Sequence, residues 1–246
     1  MPTSVEPDVM DDGLRRKEPA EIAGMFDAIA PRYDLLNFVL SAGHDRRWRR
    51  RAVDALDLRP SDVMLDVCTG TADMAVEAIR REPRLAAIIG VDFSLQMLRL
   101  AAPKLRKSGR VPALLAQADA TALPLRDEEV DAATIAFGIR NVQRPERACA
   151  ELARVIRSGG RLAVLEFGLP RSILFRAIYG WYANRILPLI GRVVSRHRNA
   201  YAYLPESVAR FQPPEAFAAL LTSSGFSQVA TVPLTLGIVY LYVARK

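Results

Sequence analysis

Cysteine and histidine are scarce in this chain, with two of each among 246 residues. Cys68 lies in a loop and Cys149 in a helical pattern, which makes neither a disulfide framework nor a metal-ligand spacing. His44 and His197 fall outside every motif that would argue for a catalytic imidazole. No apolar run approaches the roughly 18 residues that a membrane span requires, and the N-terminus shows no apolar signal core. Internal repeats and low-complexity tracts are also missing. These absences predict a soluble, cytoplasmic protein that works without a metal.

What is present is ordinary globular material, half of it apolar and a quarter charged. The length suits one large α/β domain or two small ones. The net charge of +7 and the isoelectric point near 9.8 fit an anionic membrane surface or nucleic acid, and equally an Arg-rich composition with no partner behind it. Residues 1–18 are polar and read as disordered. Residues 19–60 read as two or three helices, the last of them DRRWRRRAVDAL, a basic amphipathic pattern carrying Trp48, Val53 and Leu56. Its arginines are read as a solvated face rather than a nucleic-acid patch.

The most informative stretch is VMLDVCTGTADM, residues 63–74. Val63 to Val67 is a short aliphatic run ending in an acid, Asp66, followed by a loop of small residues and a helix starting near Thr71. Small residues let backbone N–H groups approach a ligand closely, and the helix start favours negative charge. About twenty residues on, a second apolar run ends in Asp92, where a carboxylate can accept both hydroxyls of a ribose. A dinucleotide loop would need glycines at three positions. Here Cys68 and Ala72 flank the single Gly70, and Asp66 would repel a pyrophosphate but attract an ammonium. S-adenosylmethionine carries an amino group and a sulfonium and no phosphate, so it fits the charges better. A βα turn without ligand is the plain alternative.

From Ser61 onward strands and helices alternate: strands 63–67, 86–91, 113–118, 130–137 and 161–167, with helices 72–81, 94–107 and 146–157 between them. Such alternation predicts a mostly parallel sheet with helices on both faces, and a ligand beyond the carboxyl ends of the strands. Asp66, Asp92 and Asp119 all lie at such ends, and Asp119 is placed to accept from an adenine amine. Residues 169–210 interrupt the alternation as a helical insertion or lid. Its stretch 173–194 is apolar and aromatic, with Trp181 and Ile186 among arginines, and reads as core, lid or interfacial patch. A helix over 214–224 and two tightly joined, antiparallel final strands close a single domain over 19–246.

Four segments carry a family resemblance. YDLLNFVLSAGHDRRW places Tyr33, Asp34, Asn37, Ser41 and Trp48 in register with the N-terminal signature of the C-methyltransferases of menaquinone and ubiquinone biosynthesis. Leu36 stands at a methionine position and Asp45 at a histidine position of that signature. RVIRSGGRLAVLEFG resembles the second signature, departing at Arg157, Ser158 and Gly168, where a serine is usual. TIAFGIRNV and AYAYLPESV resemble two shorter runs.

The resemblance implies a class I, Rossmann-like methyltransferase fold, seven strands with the last antiparallel. It implies S-adenosylmethionine as cofactor and methyl transfer to a ring carbon of a polyprenyl quinol. On that reading the cofactor residues are Asp66, Gly70, Thr71, Asp92, Asp119, Ala120 and Ala136. Arg140 would hold a phenolate or a water acting as base, Asn141 would orient the ring oxygen, and Tyr33 would close over the ring. The competing reading of Arg140–Asn141 is a helix-start turn with Arg140 in an ion pair. Methylation of another phenol, sterol or lipid is the alternative activity. A lipid substrate and a basic chain imply peripheral contact with an anionic membrane, at the inner face of the cell membrane, and no nucleic acid; a homo-oligomer stays open.

Overall fold

Short aliphatic runs buried on both sides become the strands of a sheet covered by helices. The computed structural model describes residues 19–170, 172, 180 and 198–246. Among these, seven strands form one sheet: β1 (Val63–Val67), β2 (Ala87–Asp92), β3 (Ala113–Gln117), β4 (Val130–Ala136), β5 (Ile156–Phe167), β6 (Ser227–Leu234) and β7 (Val239–Arg245). Their spatial order is β3-β2-β1-β4-β5-β7-β6. β7 runs antiparallel to both of its neighbours, and the other pairs are parallel. The fold class expected from the sequence is therefore the one observed. The order reverses between β1 and β4, which opens the crevice at their carboxyl ends.

The described helices are α1 (Pro19–Ile29), α2 (Tyr33–Leu40), α3 (His44–Ala55), α4 (Asp73–Arg81), α5 (Leu95–Ser108), α6 (Pro145–Val155), α7 (Arg198–Arg210) and α8 (Pro214–Ser223). Alternation along β1 divides the core between the two faces. Leu65 and Val67 pack with Leu152 of α6 and Phe217 of α8, whereas Met64 packs with Val53 of α3, Ala75 of α4 and Leu105 of α5. The start of α5 is fixed by Ser94, whose hydroxyl accepts from the Met97 N–H at 3.1 Å. A buried ion pair, Arg161–Asp62 at 2.5 Å, ties β5 to the residues leading into β1.

Two differences from the sequence expectation stand out, the first at the junction of α6 and β5. α6 stops at Val155 instead of Arg157, and β5 is already running at Ile156, which pairs with Val130. The next pair in register is Ala132 with Arg161, so residues 157–160 bulge out of the strand instead of preceding it. Gly159 makes this possible at φ +75°, and Gly160 packs directly against Ile156 and the Asp131 carbonyl. The second difference lies in α3, whose arginines do not all face solvent: Arg49 is buried, paired with the buried Asp45 and lying 3.4 Å from Asp73. The expectations for residues 1–18 and 173–194, and for His197, fall outside the described residues.

Gly168, one of the departures from the resemblance, has a packing reason. A Cβ there would lie 2.6 Å from the ring of the buried Tyr240. Restoring the usual residue by Gly168→Ser should lower stability by about 1–3 kcal/mol, the cost of overpacking a filled core. Urea unfolding checks this, and an unchanged midpoint would show that the ring has room to move.

Candidate active site

The turn after β1 is shaped by alternating left-handed residues. Cys68, Gly70 and Ala72 have φ of +55°, +55° and +69°. For the two that carry a Cβ this conformation costs about 1–2 kcal/mol each, so surrounding bonds must hold it. The Thr69 hydroxyl donates to Asp66 Oδ2 at 2.6 Å, and the Thr69 N–H donates to the Val91 carbonyl at 3.0 Å. The Gly70 N–H donates to Asp92 Oδ2 at 2.7 Å. Cys68 folds over Gly138, where any Cβ would meet its sulfur.

A cleft of about 980 Å³, the open space at its mouth included, lies beside this turn. Gly70, Asp92, Asp119, Ala120 and Ala136 line it, together with Phe93, Met97, Tyr33, Phe137 and Asn141. Asp92 is fixed twice, since its Oδ1 also accepts from the Ser94 N–H at 2.9 Å. Burial pushes its carboxyl up, and the N–H groups of Ser94 and Gly70 pull it part of the way back. Asp119 is exposed, with Oδ1 accepting from the Thr121 N–H at 2.8 Å.

Two predicted cofactor residues sit elsewhere. Asp66 is 1% exposed and is not in the cleft wall; its oxygens accept from the hydroxyls of Thr69 and Thr134, the latter at 2.7 Å. Its strand position puts it across from Thr134 on β4. Desolvation pushes its carboxyl up to about 6 against the pull of those hydroxyls. Thr71 is likewise buried and outside the wall, its hydroxyl donating to Asp34 Oδ1 at 2.5 Å and accepting from Lys104 Nζ at 3.0 Å. Asp66 thus braces the turn, and Thr71 joins the turn to α2.

A second cavity, of about 780 Å³ with the open space at its mouth included, adjoins the first, and Phe26, Tyr33 and Phe137 line both. Its wall is mostly apolar, with Leu36, Leu40, Trp48 and Phe167, and it includes Arg140. Arg140 follows β4 in a short 3-10 turn, Ile139–Asn141. Its Nη1 donates to Glu166 Oε1 at 2.7 Å and to the Phe137 carbonyl at 2.6 Å, and its guanidinium lies 5.4 Å from the centre of the Phe167 ring. The helix-start turn with an ion-paired arginine is therefore present, and the same residue lines the cavity. Asn141 Oδ1 accepts from the Tyr203 hydroxyl at 2.9 Å, and the amide lines the first cleft. Burial raises the Tyr33 phenol despite the opposing pull of Asn37 and Arg140, which keeps it neutral.

Several residues of this region escaped sequence reasoning. Glu166 is fully buried beneath Arg140; the only trace was an acid inside an otherwise apolar strand, within the second signature. Lys104 bridges Asp34 and Asp73 from α5, a long-range contact without local periodicity. Tyr203 lay within AYAYLPESV, where a polar-aromatic run on a helix could have drawn attention. Ser94 donates to Asp27 of α1, which ties the N-terminal helices to the turn after β2.

The sequence profile described as the ubiE/COQ5 methyltransferase family matches residues 14–246. A relative in Geobacter sulfurreducens, named ubiquinone/menaquinone biosynthesis C-methyltransferase UbiE, is 46% identical over 228 residues, 92% of this chain and 88% of the relative. The demethylmenaquinone methyltransferase of Thermus thermophilus is 48% identical over 223 residues, 90% of this chain and all of its own length. Among solved structures, a SAM-dependent methyltransferase from Aquifex aeolicus superposes with a TM-score of 0.58 at 16% identity, covering 93% of this chain and 98% of that one, which speaks to the fold.

The buried Asp66 carries a pH signature. Between about pH 4 and about pH 6 the folded carboxyl keeps a proton that the unfolded chain has already lost, so stability falls as pH rises through that window. Asp66→Asn removes this slope and should gain about 1–3 kcal/mol relative to the parent on going from about pH 4 to about pH 7. Paired urea melts at the two pH values measure it; parallel slopes would place the titration elsewhere.

Proposed function

The chain belongs to the ubiE/COQ5 methyltransferase family, and from that membership we propose that it is an S-adenosylmethionine-dependent C-methyltransferase acting on the ring of a polyprenylated hydroquinone. The reaction belongs to menaquinone biosynthesis (demethylmenaquinol to menaquinol), ubiquinone biosynthesis, or both. The observation that carries this reading is the pair of cavities sharing one aromatic wall. One is acid-lined and suits a cationic nucleoside, the other is apolar and suits a prenylated ring, and Phe26, Tyr33 and Phe137 face both. Asp92 and Asp119 in the first cleft would disfavour a pyrophosphate and accept hydroxyl and amine donors.

When bound, S-adenosylmethionine supplies an electrophilic methyl. The protein's part is to hold, orient and polarise. Asp92 accepts the Gly70 N–H at Oδ2 and the Ser94 N–H at Oδ1, which hold the carboxylate in place to accept a ribose hydroxyl. Asp119 takes the adenine amine, while Ala120 and Ala136 leave room for the flat ring and the chain beyond it. Gly70 leaves space beside Tyr33, to which an added Cβ would come within 3.8 Å. Asp66 and Thr71 act one step back, keeping the turn and α2 in place.

Across the aromatic wall, Arg140 stabilises the phenolate that makes the ring carbon nucleophilic. A guanidinium does not give up its own proton at neutral pH, so the phenol proton passes to water. Glu166 and the Phe137 carbonyl fix Arg140 so that the phenolate meets donors already in position. Asn141, anchored by Tyr203, orients the ring oxygen. In the balance the methyl leaves sulfur for the ring carbon, the proton on that carbon returns to the phenolate oxygen as aromaticity is restored, and the one proton released is the phenol's. Holding the two partners in line can contribute roughly 7–11 kcal/mol where the alignment is good.

Contact with an anionic membrane belongs to the same reading. A polyprenyl substrate resides in the bilayer, and α3 exposes Arg46, Arg47, Arg50 and Arg51. No described helix is long and apolar enough to cross a membrane. A location at the inner face of the cell membrane accords with both.

Labelled S-adenosylmethionine incubated with demethylated naphthoquinol and benzoquinol, followed by mass analysis, tests the activity. Label on the ring carbon supports it, and no ring-methylated product from either quinol overturns it. Asp92→Ala should weaken S-adenosylmethionine binding by about 1.5–3 kcal/mol by calorimetry; unchanged affinity in a folded variant would remove Asp92 from the site. Arg140→Lys retains a cation beside Glu166 but loses the planar fork. It should keep cofactor affinity within a few fold and lower turnover by about 10²-fold; nearly full turnover would leave Arg140 as the ion-paired turn alone.

A further inference from the structure

The second cavity contains a carboxylate that the reaction just described does not use. Asp45 is 6% exposed and stands in the cavity wall among Leu36, Leu40, Trp48 and Phe167. An anion in such surroundings is costly unless it is paired. Arg49 pairs with its Oδ2, and the Ser41 hydroxyl donates to its Oδ1 at 2.9 Å. These contacts hold the carboxylate in one orientation and leave lone pairs for a further donor. Arg49 itself is directed to carboxylates, through Nη1 to Asp45 and through Nη2 to Asp73 at 3.4 Å. The wall therefore offers a ligand an acceptor here, at a position where the family signature has histidine.

We propose that Asp45 is the subsite for the second ring hydroxyl, the one para to the hydroxyl that activates the reacting carbon, and that it makes the cavity select the reduced ring over the oxidised one. The inference rests on the hydroquinone reading of the previous subsection. A hydroquinone hydroxyl donates to the fixed carboxylate. The corresponding quinone has only carbonyl oxygens, and facing one to Asp45 sets acceptor against acceptor in a mostly apolar wall. Only the reduced ring has a phenol to ionise, so the subsite excludes from the cavity the form that cannot react. Discrimination of this kind arises because the hydroxyl satisfies an acceptor that a carbonyl can only oppose.

The test compares a short-tailed demethylated quinol with its own quinone under anaerobic conditions, taking KM for the first and the competitive inhibition constant for the second. The unmodified enzyme should bind the quinone at least about 10-fold more weakly than the quinol. In Asp45→Asn, whose amide can donate to a carbonyl, the two constants should converge, with quinol KM raised, kcat lowered less than about threefold and cofactor affinity unchanged. A quinol whose para hydroxyl is methylated probes the same contact without altering the protein, and the unmodified enzyme should bind it about 10-fold more weakly. Equal binding of quinone and quinol by the unmodified enzyme overturns the proposal. So does undiminished affinity for the methyl ether, or an Asp45→Asn variant that weakens both ligands by one common factor. Absence of ring methylation by the unmodified enzyme would instead be a failure of the reading on which the proposal rests.

Discussion

The ammonium group of Lys104, reaching out from α5, meets Asp34 of α2 at 2.7 Å, Asp73 at the start of α4 at 2.6 Å and the Thr71 hydroxyl at 3.0 Å. Each of these ion pairs, partly exposed, contributes at most about 1 kcal/mol by itself. Their importance is positional: together they seat the N-terminal helices on the sheet. Those helices bring Phe26 and Tyr33 into the wall of both cavities and Asp45 into the second. Asp73 also favours the positive start of α4 and lies 3.4 Å from Arg49, so the network reaches from the turn after β1 to the second cavity.

The turn after β1 then works by restraint where glycine would offer freedom. Two of its left-handed residues carry side chains, and acids at the ends of β1 and β2 fix the turn from opposite sides. Asp66 is costly to keep ionised, as its raised carboxyl shows, yet it sets the Thr69 hydroxyl and through it the backbone that faces the cleft. Arg140 and Glu166 repeat the pattern in the second cavity, a buried pair whose value lies in a fixed guanidinium more than in stability.

Much of this was legible in the sequence, for reasons that also mark where legibility ended. Strand and helix alternation follows from local periodicity, and it predicted the sheet and the placement of Asp92 and Asp119 at strand ends. The α6–β5 boundary was misjudged because Gly159-Gly160 reads as a turn before a strand, while the structure uses it as a bulge within one. Residue type and strand-end position point to Asp66 and Thr71. Which way a side chain turns at a strand end depends on Thr134 and Asp34, residues distant in sequence that no local pattern ties to them. Glu166 and Lys104 were missed as partners for the same reason: a pair made across the fold has no period.

The central claim is that cofactor and ring occupy separate cavities and meet across Tyr33, Phe26 and Phe137. A crystal structure with S-adenosylhomocysteine and a short-tailed quinol analogue tests it most directly. The account predicts the nucleoside against Asp92 and Asp119, the ring among Leu36, Trp48, Phe167 and Arg140, and the homocysteine sulfur facing a ring carbon through the gap beside Tyr33. A ring bound in the first cleft, or in the second with no opening toward the sulfur, would contradict it.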